Sequence, residues 1–378
     1  MQQYGSELHS LLSDAFEGWG SEAYFTWKYT AYPDYKPQAD NFTIRNDAGC
    51  IVAARRVFRH QIHTPTGELL STHIHGGTAV AEAYRGRGYY TELLEESRAQ
   101  TERDADCLVT FNRAGKITTK HHKKNGWNWF RLPVYASVIS PSRVFSKYMI
   151  ENDTLSNTIG YLSAVDRTLT RSNLVSRSMA TVADRLYGDP NRTTADGQKS
   201  ALDWGYADQD SGNRSNGERS DSTVTITQSD GVPAASTVSE LHELLQTQLT
   251  GKYHFSRSIE RLKHCLSYPS ATVFVARDAD GTLIDFAVAG VLDKDGFTEC
   301  RVLEQTWRRP SITRTLFDAV EAHARQQGAD VVVASTANQP AAHWIPLGTE
   351  YMMWPPTGRS ADLPTDPADW RVTMYDIL

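Results

Sequence analysis

"AEAYRGRGYYTELLEES", Ala81 to Ser97, sets two arginines and two glycines between a run of apolar and small residues and a stretch of helix formers. Upstream, "HTPTGELLSTHIHGGTAVA" opens with a Thr-Pro-Thr-Gly turn and continues as a strand ending near Ala81. Downstream, the spacing predicts a helix from about Tyr89 to Arg103, with Leu93 and Leu94 facing the core and Glu92, Glu95, Glu96 and Arg98 facing water. The first N–H groups of a helix have no partner inside it, and the helix dipole places partial positive charge there. Glycines let the backbone approach a ligand closely. A strand, an Arg-Gly-Arg-Gly loop and a helix in that order suit a phosphate or pyrophosphate, with Arg85 and Arg87 adding charge-assisted hydrogen bonds. The loop is neither a Walker A motif nor a G-x-G-x-x-G fingerprint.

The pattern continues on both sides of the loop. "SELHSLLSDAFEGW" has helical spacing, with Leu8, Leu11, Leu12 and Phe16 on one side. "NFTIRNDAGCIVAARRV" reads as strand, turn, strand. "CLVTFN" (Cys107 to Asn112) is of strand length, a further helix ends at Gly126, and "WNWFRLPVYASVI" is strand-like. Helices, a meander of strands, then helix, strand, helix, strand define a mixed α/β layered fold. From Ser146 to about Tyr187 the pattern is helical, and Gly188 to Ser222 is polar with almost no apolar periodicity. From Thr223 onward the first part is echoed: "RNDAGC" at Arg45 by "RDADGT" at Arg277, "ERDADCLVTF" by "RQQGADVVVAS", and Tyr32-Pro33 by Tyr268-Pro269. The shared order predicts a diverged internal repeat. The expected organisation is one lobe at 1–145, a helical connector at 146–187, a polar linker at 188–222 and a second lobe at 223–378.

The loop resembles the pyrophosphate loop of the GNAT superfamily of N-acetyltransferases, [QR]-x-x-G-x-[GA] between a central strand and a helix. Arg85, Gly88 and Tyr90 occupy its three fixed positions, and Tyr90 departs from the usual Gly or Ala. The resemblance spans about residues 5 to 140, with a fainter copy over 223 to 378. It implies a tandem architecture of two GNAT-like lobes, each a mixed, mostly antiparallel central sheet flanked by helices. It implies acetyl-CoA as acyl donor, held by Ala79, Val80, Arg85, Gly86, Arg87, Gly88, Tyr89 and Tyr90, with Asn112 against the pantetheine or the substrate. The implied reaction is direct acyl transfer, usually to an amine. The second copy's loop, "WRRPSITRTLF" from Trp307, has no glycine, and Pro310 has no N–H to donate. That copy is expected to have lost the donor site and to close one wall of the acceptor site. The family's first strand is short or missing before Ser6, so either the chain begins late or the second copy supplies that edge.

Amine acylation needs a proton acceptor, a stabilised thioester oxygen and a proton donor for the departing thiolate. The family's donor is often a Tyr four residues before a Gly-Phe pair, and here that position is His122, before Gly126-Trp127. Glu82, just after the central strand, and His75, on it, are candidate bases, with a water chain as the alternative. His73 and His75 share one face of their strand and are expected to line the cleft together. No third metal ligand is evident, so no metal is expected. Some tandem relatives use the terminal carboxylate, which is Leu378 here.

The net charge of −6 argues against broad nucleic-acid binding, although "KITTKHHKKNGW" is locally basic. There is no apolar run of membrane-spanning length and no signal peptide, so a cytoplasmic protein is expected. Cys50, Cys107, Cys265 and Cys300 are far apart and read as reduced thiols. The expected partner is a small-molecule amine or amino sugar, with no membrane and no set oligomeric state. Two rival readings are an acyl-CoA sensor without turnover and a relative that moves aminoacyl or long acyl groups from tRNA or a lipid carrier. The intact Arg-Gly-Arg-Gly speaks against the second.

Overall fold

The computed structural model describes residues 2–16, 21–144, 224–294, 296–307, 310–336, 339–341, 343–347 and 350–377. The connector and linker expected at 146–222, Arg308 and Leu378 lie outside the described residues.

Helix α1 (Gln2–Phe16) buries the predicted stripe of Leu8, Leu11 and Leu12, while Phe16 stays 42% exposed. A short α2 (Glu22–Phe25) starts at Ser21, whose hydroxyl accepts from the Tyr24 N–H, a normal N-cap. A π-helical turn, Thr26–Thr30, then buries Trp27 and Tyr29. One turn of helix, α3 (Pro37–Asp40), leads into the meander β1 (Asn41–Arg45), β2 (Ile51–His63) and β3 (Leu69–Val80). Then come α4 (Tyr89–Asp104), β4 (Cys107–Arg113), α5 (Ile117–Lys124), β5 (Asn128–Arg131) and β6 (Val134–Val138). The second part runs β7 (Thr225–Asp230), α6 (Ala235–Leu249), β8 (Tyr253–Phe255), α7 (Ile259–Leu266), β9 (Thr272–Arg277), β10 (Leu283–Lys294) and β11 (Phe297–Gln305). It continues with α8 (Pro310–Gln326), β12 (Val331–Ser335), β13 (Ile345–Pro346), β14 (Glu350–Trp354), β15 (Trp370–Arg371) and α9 (Met374–Ile377). The echo seen in the sequence is thus an echo of elements. In both parts a three-stranded antiparallel meander is followed by a long helix and a parallel strand, β4 on β3 and β12 on β11.

The strands form two sheets, one in the order β15-β8-β2-β3-β4-β14-β5 with β1 also on β2, the other β13-β6-β12-β11-β10-β9-β7. The parts trade strands. β14 stands between β4 and β5, pairing Glu350 with Arg113 and Tyr351 with Arg131. β6 stands beside β12, pairing Val331 with Val138. Pro133, between β5 and β6, cannot donate to a ladder, and there the chain leaves one sheet for the other. The core of the first sheet therefore mixes Ile74, Val109 and Phe130 with Phe255, Met352, Trp354 and Trp370.

Two buried polar clusters stand out, the first within the second part and the second between the parts. Arg257 donates through Nε to Glu304 at 2.5 Å and through a terminal nitrogen to Asp376 at 2.5 Å and Thr373 at 2.9 Å. All three charged side chains are at most 2% exposed. In the second cluster, the His264 ring lies flat on Trp27, centroids 4.7 Å apart. Its Nε2–H donates to the Trp27 carbonyl at 2.8 Å, and its Nδ1 accepts from the Tyr375 hydroxyl at 2.9 Å.

Burial pushes the pKa of His264 down to about 4, which keeps the imidazole neutral. Burial, with Arg55 and His121 nearby, pushes that of His122 down to about 3. An unfolded histidine protonates below about 6.5. Between that pH and the depressed folded values, the unfolded chain holds more protons, so stability falls as pH falls. The slope is up to ~1.4 kcal/mol per pH unit for each such histidine. Urea unfolding is expected to give a constant free energy above pH 7 and a declining one from 6.5 to 5. A flat profile across that window contradicts this.

Candidate functional site

The β3–β4 ladder runs from Thr72 opposite Cys107 to His75 opposite Thr110 and then stops. On its opposite edge β4 pairs with β14 from Thr110 to Arg113, while β3 continues to Val80. The edge of β3 from Gly76 to Val80 is therefore unpaired on the side facing β4. On its other side β3 is bulged: Ala54 faces Ala79 and Arg56 faces Gly76, leaving Gly77 and Thr78 against Arg55 alone. Gly77 has φ +56°, and a Cβ there would lie 1.9 Å from the Tyr29 hydroxyl oxygen. Only glycine fits this bulge.

The free edge forms one wall of a cleft of about 480 Å³. Thr78, Ala79 and Val80 line that wall, and the loop from Tyr84 to Tyr90 closes one end. Ile117 and Thr118 at the start of α5, and Ala15 and Phe16 at the end of α1, form the rim. Gly86 and Gly88 sit at φ +78° and +85°, conformations that favour glycine. Gly88 is the N-cap of α4 and makes no side-chain cap hydrogen bond. The Arg87 guanidinium lies 4.7 Å from the centre of the Tyr84 ring and donates to the Ala83 carbonyl, and Arg85 Nε donates at 3.4 Å to the Val80 carbonyl. Both arginines are exposed at the mouth. Among the described residues neither has a carboxylate partner. The sequence thus places its anion-binding signals together, at a helix N-terminus and beside an open strand edge.

The candidate catalytic residues are distributed differently. His73 and His75 do share a face, but it is the face toward α4, and both are buried. Thr101 of α4 donates to the Ser97 carbonyl, and its oxygen lies 3.0 Å from His73 Nδ1 and 2.7 Å from His75 Nε2. Arg59 approaches His73 Nε2 at 3.4 Å, and Arg55 meets His75 Nδ1 at 3.0 Å. Arginine can only donate, so each imidazole accepts from its arginine and donates to Thr101. The expectation that the pair lines the cleft is not met. Burial with the adjacent arginines pushes both pKa values down, that of His73 to about 4. Glu82 is exposed, on a 3-10 turn (Glu82–Tyr84) between the strand and the loop. His122 is buried against Trp127, ring centroids 3.9 Å apart, and its Nδ1 has no partner. Asn112 donates at 3.2 Å to the Thr110 hydroxyl near the point where β3 and β4 part.

Several site residues were not singled out in the sequence. Phe16 and Ile117, the latter 82% exposed, are apolar side chains left on the rim. Arg55 donates to Thr78 Oγ1 at 2.6 Å from behind the cleft wall. Its only sequence signal was a charge at an inward position of a strand. In the second part, β11 and β12 also part company, after Val302 opposite Ala334. There the Gln305 amide donates to the Ser335 carbonyl at 2.8 Å, and the fully buried Trp344 packs edge-on to Phe317.

In the first lobe a bulged central strand with a free edge thus ends in a glycine loop at a helix N-terminus. Residues 3–114 match the acetyltransferase (GNAT) domain family, so the first lobe is a GNAT domain and the chain an acyltransferase. No curated protein matches the sequence. Among solved structures, Saccharomyces cerevisiae N-myristoyltransferase with bound myristoyl-CoA superposes with a TM-score of 0.59 at 10% identity, covering 94% of this chain and 76% of that one. A probable N-acyltransferase of Enterococcus faecalis V583 gives 0.51 at 10% identity over 93% and 70%. A GCN5-related N-acetyltransferase from Kribbella flavida gives 0.49 at 14% over 93% and 69%. At these identities the likeness is one of fold.

Proposed function

We propose that the chain is an acyl-CoA-dependent N-acyltransferase, with acetyl-CoA as its simplest donor and a small amine or amino sugar as acceptor. The observation that carries this reading is the run of the free β3 edge into the glycine-opened N-terminus of α4, flanked by two arginines without acid partners among the described residues. The similarity in fold to an enzyme with bound myristoyl-CoA supports an acyl-CoA as donor. Gly86, Gly88, Tyr89 and the two guanidiniums suit the pyrophosphate. Ala79 and Val80 offer backbone groups to the amide-bearing arm, and Asn112 offers its side-chain amide from the opposite strand.

The thioester supplies an activated acyl group: an amine nitrogen attacks its carbonyl carbon, the C–S bond breaks, and the amine's surplus proton ends on the thiolate or in water. The backbone N–H groups at the bulge around Thr78 are placed to polarise the carbonyl. Tyr90, a cleft-lining phenol whose hydroxyl has no partner, is the nearest proton donor for a thiolate. His122, held neutral behind it, assists rather than acting as an imidazolium acid. His75 orients Arg55. Glu82 receives the amine proton through water, since it stands in solvent. The acceptor enters from the side of the second lobe, opposite α4.

The test is calorimetric titration of acetyl-CoA into the wild type and an Arg85→Ala, Arg87→Ala variant. Loss of about tenfold in affinity per guanidinium is expected. Equal affinities would remove the loop from the site, and no binding of any acyl-CoA would overturn the reading.

A further inference from the structure

The four other most deeply buried arginines among the described residues each have a carboxylate in reach, while half-buried Arg371 has the Gln305 carbonyl. Arg56 has Asp40 at 3.5 Å, Arg257 has Glu304 and Asp376 at 2.5 Å, Arg261 has Asp34 at 3.3 Å and Arg301 has Glu299 at 2.6 Å. Arg55 is 4% exposed and has none. Its terminal nitrogens donate to two neutral acceptors, Thr78 Oγ1 and His75 Nδ1, and its Nε has no partner. A buried cation with only neutral partners is costly unless something anionic completes it. Two further buried polar atoms nearby, Tyr90 Oη and His122 Nδ1, also have no partner. Both residues lie within electrostatic reach of Arg55.

The position of Arg55 indicates which anion fits. The pyrophosphate has its own exposed arginines at the loop, and Arg55 lies behind Thr78 at the inner end of the free edge. A donor laid from the loop along Val80 and Ala79 reaches Thr78 last, so what meets this corner is its acyl end. Arg55 also projects to the face of the sheet that carries α4. Its neighbour Arg56 projects to the opposite face, over the Phe58 ring, which meets Tyr32 and through it His264 of the second part. The group that completes Arg55 therefore belongs to the donor and not to the acceptor.

We infer that the preferred donor is the CoA thioester of a short dicarboxylic acid, whose free carboxylate pairs with Arg55 and accepts from Tyr90. This rests on the acyl-CoA reading and narrows it. The test compares the dissociation constants of CoA, acetyl-CoA, malonyl-CoA and succinyl-CoA by calorimetry in the wild type, Arg55→Met and Arg55→Lys. In the wild type, one of the two dicarboxylic thioesters is expected to bind about tenfold more tightly than acetyl-CoA. That ratio is expected to fall to about one in Arg55→Met and to survive in part in Arg55→Lys. Each ratio is internal to one protein, so a general loss of fold cancels, and the wild-type ratio stands even if a variant does not fold. CoA binding with no preference among thioesters overturns this inference alone. So does a preference that persists in Arg55→Met, or an equal slowing of acetyl and succinyl transfer in that variant, which would make Arg55 a general support of the reaction. Failure of CoA itself to bind overturns the acyl-CoA reading, and this one with it.

Discussion

Arg257→Met is expected to destabilise the protein by about 3–5 kcal/mol, the usual cost of stranding buried charge. Methionine fills much of the volume but supplies none of the donors. Glu304 and Asp376 would be left buried without the guanidinium that bridges them, and Thr373 and the Phe255 carbonyl would lose a partner. These groups lie on β11, on α9 and its approach, and beside β8, so the loss opens the seam between the sheets. Urea denaturation measures it. Adding Glu304→Gln and Asp376→Asn to the same protein should restore much of the stability, because the residual cost comes from unpaired charge. A loss below about 1 kcal/mol for Arg257→Met would show that water reaches the cluster.

Gly77→Ala is expected to be nearly as severe, for a different reason. The left-handed backbone costs about 1–2 kcal/mol with any side chain, and the new Cβ meets the Tyr29 hydroxyl at 1.9 Å. Tyr29 has little freedom to withdraw. It stacks on Phe25 at 5.1 Å and meets Phe58 edge-on at 5.8 Å. Overpacking of that kind adds about 1–3 kcal/mol. Removing the hydroxyl in Gly77→Ala, Tyr29→Phe should return the second part and leave the first. Because Thr78 follows directly, the single variant should also weaken acetyl-CoA binding. A variant with wild-type stability and affinity would mean the bulge tolerates a side chain.

Local features could be read from the sequence and long-range ones could not. The loop at Arg85–Gly88 was readable because a strand, two glycines and a helix start are neighbours in the chain, and its positive φ angles follow from residue type. The stripe Leu8, Leu11, Leu12 was readable from periodicity. Val134–Val138 also reads as strand-like, but strand propensity says nothing about which sheet a strand joins, and both it and Glu350–Trp354 cross to the other lobe's sheet. The same limit applies to His73 and His75. A period of two puts them on one face, and only the position of α4 decides that the face is the inner one. His122 stands in a locally basic run, and the sequence does not show that its turn of α5 faces Trp127. Arg55 stayed hidden because what sets it apart is a missing partner, and a missing partner becomes visible only once every neighbour is placed.

The traded strands also bear on how the protein is made. Arg113 and Glu350, bonded neighbours in the first sheet, are 237 residues apart in the chain. At ~5–20 residues per second, a ribosome takes roughly 10 to 50 s to cover that distance. Throughout that interval the nascent chain carries β4 and β5 with the slot between them unfilled. The emerging protein thus presents two open strand edges and the apolar faces of Val109 and Phe130 long before Met352 and Trp354 exist to cover them. A chain cut short before residue 350 would keep those edges exposed, open to pairing with other chains.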